Sequence, residues 1–124
     1  CRRLLALTVT GKKTGKPFTC PVMYAKHERD FVIVAADAKS KRWWKNLDPD
    51  GAEVTLTRGT TVTRAFARTL ERDPRARGKA LRVYITTHAS AAKPLGIPSN
   101  WPTLDDENLG KTAESAVVVR ATPA

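Results

Sequence analysis

Two short stretches gather the side chains able to do chemistry in this 124-residue chain. The first is Thr10-Gly11-Lys12-Lys13-Thr14-Gly15-Lys16. Glycines let a backbone come close to a ligand, lysines bring mobile positive charge, and exposed turn N–H groups form a nest for an anion. That chemistry is capture of a phosphate or carboxylate. The plainer reading is a solvated hairpin turn, since Gly and Lys are ordinary turn residues. The second stretch is Ser40-Lys41-Arg42-Trp43-Trp44-Lys45-Asn46-Leu47. Adjacent tryptophans on a helix point about 100° apart, so one enters the core while its neighbour is free to cover a cleft or a flat ligand. Trp43 lies four residues from Leu47 and reads as the core member of the pair. Arg42 offers a guanidinium fork suited to phosphate.

Other catalytic patterns are missing. No G-x-S-x-G, H-E-x-x-H or C-x-x-C occurs, and no Walker or dinucleotide-binding glycine run. His27 falls in a polar turn. His88 falls near a helix end, where the dipole suits a cation, and is the one candidate general acid. The carboxylates show no paired spacing and the potential ligands are scattered, so no metal site and no protein nucleophile emerge. Net charge is +10, from 22 basic and 12 acidic residues. Residues 1–16 and 39–45 carry basic groups and no acid. Such a field attracts nucleic acid, acidic lipid or a polyanionic cofactor. No apolar run is long enough to span a bilayer and no signal-peptide pattern is visible, so a cytoplasmic protein is expected, with peripheral membrane association left open. The first residue is Cys1 rather than Met, so an N-terminal segment is expected to be missing.

These stretches need elements to hold them. Residues 3–10 and 17–26 read as strands joined by the Gly-Lys turn. Residues 31–36 form a third strand rich in β-branched side chains. Residues 39–47 read as a short helix, broken by Asp48-Pro49-Asp50-Gly51. Residues 53–57 and 61–69 are further strands, the latter with mixed faces. Asp73-Pro74 opens a longer helix that ends before Pro94, striped by Leu81, Tyr84 and Ile85. Residues 95–110 look like a loop, and residues 116–120 close the chain as a strand. The expected fold is mainly β, of the α+β type: a single domain over residues 1–124, built as a six-stranded antiparallel barrel with a short inserted helix and one longer helix.

With the elements in place, the motifs form a recognisable series. Thr8-Val9-Thr10-Gly11-Lys12-Lys13-Thr14-Gly15-Lys16, then Cys20-Pro21-Val22-Met23-Tyr24, then Arg42-Trp43-Trp44-Lys45-Asn46-Leu47, resembles the deazaflavin-dependent nitroreductase family. These are actinobacterial split-barrel proteins related to pyridoxamine-phosphate oxidases. The resemblance covers nearly the whole chain and implies coenzyme F420, an 8-hydroxy-deazaflavin whose tail carries a phosphate and several glutamates. It places Lys12, Lys13, Thr14, Gly15 and Lys16 on the tail or phosphate. Pro21, Ala36 and Asp37 come beside the ring, and Lys41, Arg42, Trp43, Trp44 and Asn46 along the remaining wall. It implies hydride transfer to a hydrophobic acceptor such as a quinone or nitroaromatic, with no protein nucleophile, and a homodimer. Two departures stand out: Phe18 replaces a basic residue of many relatives, and the segment 37–41 is short and has no glycine. The alternatives are a sister barrel binding FMN or a tetrapyrrole, and a basic nucleic-acid-binding module. Against the last, the aromatics do not interleave with basic residues on one strand face.

Overall fold

A computed structural model describes residues 4–38, 42–48 and 50–124. Six antiparallel strands close into a barrel in the order β1-β2-β3-β6-β5-β4. They are β1 (Leu4–Thr10), β2 (Pro17–His27), β3 (Asp30–Ala35), β4 (Ala52–Arg58), β5 (Thr61–Thr69) and β6 (Val117–Pro123). β6 lies between β3 and β5 and so joins the β1–β2–β3 meander to the β4–β5 hairpin. A shorter pairing of β1 with β4, from Ala6↔Thr57 to Thr8↔Thr55, completes the ring.

Alternation along the strands fills the interior. Leu5, Leu7 and Val9 of β1, Leu56 of β4 and Ile33 of β3 are buried in one core. The mixed faces of β5 resolve in favour of its small residues: Ala65 and Ala67 point inward, while Phe66 is 40% exposed. The interior is already filled by the leucines of β1 and β4, which leaves room only for methyl groups beside them.

Helix α1 (Pro74–Thr87) begins as its sequence predicts, with the Asp73 carboxylate accepting from the Ala76 N–H at 3.2 Å and Pro74 in the first turn. It packs on the outside of the barrel, where Leu81, Tyr84 and Ile85 meet Ala25, Val32 and Val118 in a second core. Arg77 of α1 is buried and fully engaged. It donates to Glu71 at 2.9 Å and to the carbonyls of Gly110, Thr112, Ala113 and Ala116. A short helix α2 (Ala92–Leu95) follows and runs through Pro94.

Two expectations need correction. The segment 95–110 is not wholly a loop: it holds a 3-10 turn at Trp101–Thr103 and helix α3 (Asp106–Leu109), which Asp105 caps by accepting from the Asn108 N–H at 2.8 Å. α3 runs so close to α1 that a Cβ on Gly78 would lie 1.7 Å from the Asp106 carbonyl oxygen, and one on Gly110 would lie 1.7 Å from that of Pro74. Of the helix expected over 39–47, the described part is a 3-10 turn at Trp43–Leu47; residues 39–41, Lys41 among them, lie outside the described residues.

Candidate functional site

β2 is longer than either of its neighbours. It pairs with β1 over Pro17 to Met23, but with β3 only over Tyr24 to His27. The sheet therefore splits beyond Tyr24, and a cavity of about 750 Å³ fills the split. One wall is β2, through Phe18, Cys20, Pro21, Val22 and Met23; the other is the end of β3, through Val34, Ala35 and Ala36. Arg42, Trp43 and Asn46 close one side from the 3-10 turn, and Tyr84 reaches in from α1. Both parities of β2 line the space, because at a split edge the cavity wraps around the strand rather than lying on one face.

Tyr84 is buried, and its ring centroid lies 4.9 Å from that of His88. Its hydroxyl makes no hydrogen bond to a described residue. Burial pushes the phenol above its ordinary value near 10, so it stays protonated and able to donate. His88 does not line the cavity. It caps the end of α1, with Nε2 2.8 Å from the Tyr24 carbonyl oxygen. His27 sits away from the cavity too, 3.8 Å from Glu28.

The Gly-Lys turn stands beside the cavity and does not line it. Its shape is self-made. The Gly11 N–H donates to the Lys16 carbonyl at 2.9 Å, the Gly15 N–H to the Gly11 carbonyl at 2.8 Å, and the Lys16 N–H to the Thr14 hydroxyl at 3.2 Å. Gly15 sits at φ +70°, where a side chain would be strained, and a Cβ on Gly11 would press to 2.7 Å from the Thr14 hydroxyl. The Lys12 N–H is taken by Asn46 Oδ1 at 3.0 Å. These bonds consume most of the amides that an anion nest would use. The turn's charge is therefore presented by side chains: Lys13 and Lys16 are exposed and make no ion pair with a described residue, whereas the Lys12 ammonium bonds the Asp48 carbonyl.

Of the residues expected at a site, the structure brings Pro21, Ala36, Arg42, Trp43 and Asn46 onto the cavity wall. Lys12, Lys13, Thr14, Gly15 and Lys16 lie on the adjoining turn. Asp37 is next to Ala36 and adopts a left-handed backbone at φ 52°, so it supplies the sharp bend for which that segment has no glycine. Trp44 does not reach the cavity: its indole N–H donates to the Ala38 carbonyl at 3.2 Å and braces the loop. Sequence reasoning did not assign Phe18, Cys20, Val22, Met23, Val34, Ala35 or Tyr84 to the site. The long β2 against the shorter strand after it was the available signal for the β2 members. For Tyr84 there was none, since its spacing on α1 marks it only as core.

The space suits a flat ring with an anionic tail. The walls are mainly apolar, its volume lies in the range of cofactor pockets, Arg42 is on its lining, and Lys13 and Lys16 are exposed on the turn that bonds Asn46 of the wall. Among the described residues, no three His, Cys, Asp or Glu side chains converge as metal ligands, and no helix is long and apolar enough to cross a membrane.

Comparison with known proteins agrees with this geometry. Solved structures share the fold at low identity. An F420-H2-dependent reductase, FDR-A, superposes with a TM-score of 0.65 at 19% identity, covering 97% of this chain and 94% of that one. The haem storage protein HutZ from Vibrio cholerae does so with 0.62 at 14%, covering 99% and 82%. A pyridoxine-phosphate-oxidase-family protein from Clostridium acetobutylicum gives 0.60 at 18%, covering 98% and 75%. No curated protein sequence matches the chain. The family model described as F420H2-dependent quinone reductase matches residues 2–92, which span the turn, β2, the split and α1. The chain belongs to the F420H2-dependent quinone reductase family: it is an oxidoreductase, and its cofactor is F420.

Proposed function

We propose that the split between β2 and β3 is where F420 binds and where a small hydrophobic acceptor, a quinone or a nitroaromatic ring, is reduced. The observation that carries this is an apolar slot of about 750 Å³ with a lysine turn tied to its wall through Asn46. Bound there, the reduced coenzyme supplies a hydride. The protein's own part is to hold, orient and keep dry. Phe18, Pro21, Val22 and Met23 on one side and Ala36 and Trp43 on the other exclude water from the ring. Asp37 bends the chain so that the backbone after Ala36 can approach it. Lys13, Lys16 and Arg42 face the tail anions, with Thr14 and Gly15 shaping the turn between the lysines. Tyr84, protonated and with no hydrogen bond from its hydroxyl to a described residue, offers the cavity a hydrogen-bond donor. The exposed Leu4, Val62 and Phe66 lie outside the barrel and fit a homodimer, which light-scattering mass in solution checks: a monomer at all concentrations removes that reading.

A fluorescence titration with F420, run beside FMN and haem, tests the cofactor site. Saturable micromolar binding of F420 alone supports it; binding of FMN or haem alone moves the protein to a sister function. Affinity for arbitrary oligonucleotides that falls steeply with salt, with no cofactor bound, would replace it with nucleic-acid binding. Lys13→Glu reverses an exposed charge and is expected to weaken F420 binding about tenfold or more while leaving the melting temperature in place. Unchanged affinity in that variant takes the turn out of the site.

A further inference from the structure

Lys12 and Asn46 stand where a tail contact is expected, yet their polar groups are already engaged within the protein. Asn46 Oδ1 accepts from the Lys12 N–H at 3.0 Å, and Asn46 Nδ2 donates to the Trp43 carbonyl at 3.2 Å. The Lys12 ammonium donates to the carbonyl of Asp48. The Asp48 carboxylate accepts from the Thr69 hydroxyl of β5 at 2.7 Å, which anchors that end of the seam to the barrel. Together these bonds tie the tip of the β1–β2 hairpin to the 3-10 turn and to β5; the two made by Lys12 reach residues 34 and 36 positions away. The tip is rigid in itself, through the bonds of Gly11, Gly15 and Lys16, so its aim depends on where it is attached.

We propose that Lys12 and Asn46 form a latch: they are positioning residues that set the Gly11–Lys16 turn against the cavity wall, so that Lys13 and Lys16 present their charge to a bound anionic tail. This rests on the reading that the turn holds the F420 tail. Lys12 then acts through its two bonds and not through its charge. Released from the wall, the tip keeps its fold but swings, and binding must immobilise it at a cost in affinity.

Two probes separate the latch from direct contact: F420, and its riboside, which has the same deazaflavin but neither phosphate nor glutamates. Wild-type protein is expected to bind F420 more tightly than the riboside, with the difference shrinking in salt. Asn46→Ala is expected to weaken F420 about tenfold, the scale of one or two lost hydrogen bonds, and the riboside by a clearly smaller factor, that of any direct wall contact. Asn46→Gln, which keeps an amide acceptor and donor on a longer arm and adds no charge, recovers part of the loss. Lys12→Met, an exposed substitution that does not threaten folding, lowers F420 affinity but keeps the salt dependence of wild type, whereas Lys13→Met reduces it. The latch is overturned if Asn46→Ala weakens the riboside as much as F420 at an unchanged melting temperature. It is overturned too if Asn46→Ala leaves both affinities alone, or if Lys12→Met flattens the salt dependence as Lys13→Met does. Equal affinity of wild type for the two probes is a different result, since it removes the tail from the turn and with it the basis for any latch.

Discussion

Trp43 carries two tasks at once. It is 6% exposed and belongs to the barrel core, and its indole also forms part of the cavity wall. The core role was legible from its spacing with Leu47; the wall role depends on how the sheet splits, which no local pattern records. Trp43→Ala is expected to cost about 3 kcal/mol or more in a urea titration, because it empties packed volume. A loss under about 1 kcal/mol, the scale of a surface change, would show that the indole is not core. Tyr84 is the opposite case: its apolar stripe was legible and its place in the cavity was not, because that follows from α1 docking outside the barrel beside the split. Its titration gives a sign that can be checked. Burial raises the folded-state value above the ordinary one near 10. The phenol therefore contributes its full stability below about pH 10, and that contribution is lost as pH rises through the raised value. The melting temperature of Tyr84→Phe should accordingly fall less than that of wild type between about pH 9 and pH 12. Parallel curves would remove the effect of burial on Tyr84.

Strands and their turns were the most readable elements, since alternation, β-branching and Gly-rich breaks occur within a few residues of one another. β1, β2 and β5 begin or end within a residue or two of where the pattern puts them. The short helices were least readable: α3 is four residues long, too short for a periodic stripe, and its capping Asp105 is the only local mark. Gly78 illustrates a signal that sequence hides. In mid-helix it looks like a weak point, yet it is the place where α3 touches the α1 backbone, next to the Arg77 side chain that gathers four carbonyls of the 110–116 segment. Gly78→Ala would improve an isolated helix, but here it drives a methyl group into the Asp106 carbonyl. The expected outcome is a loss of about 1–3 kcal/mol with faster amide exchange across residues 106–116. A stabilised variant would mean that the two backbones separate easily.

At the scale of the whole molecule, closure of the barrel leaves a long stretch of β2 with one open edge. Among the described residues, Pro17 to Met23 of β2 pair with β1 alone, and their other edge borders the cavity. An open edge beside exposed Phe18 and Met23 is a template for a second chain. The net charge of +10 opposes such contacts by repulsion, more weakly as salt rises. A ligand seated in the split covers that edge and, by binding only the folded state, also raises stability. Protein stripped of F420 is therefore expected to scatter light earlier on warming at high salt than protein saturated with it, and identical onsets would show that the edge is harmless. Where the two onsets differ as expected, the coenzyme is also a chaperone for its own enzyme: when the deazaflavin runs short, molecules left empty are the ones that clump, and the amount of enzyme follows the supply of its reductant.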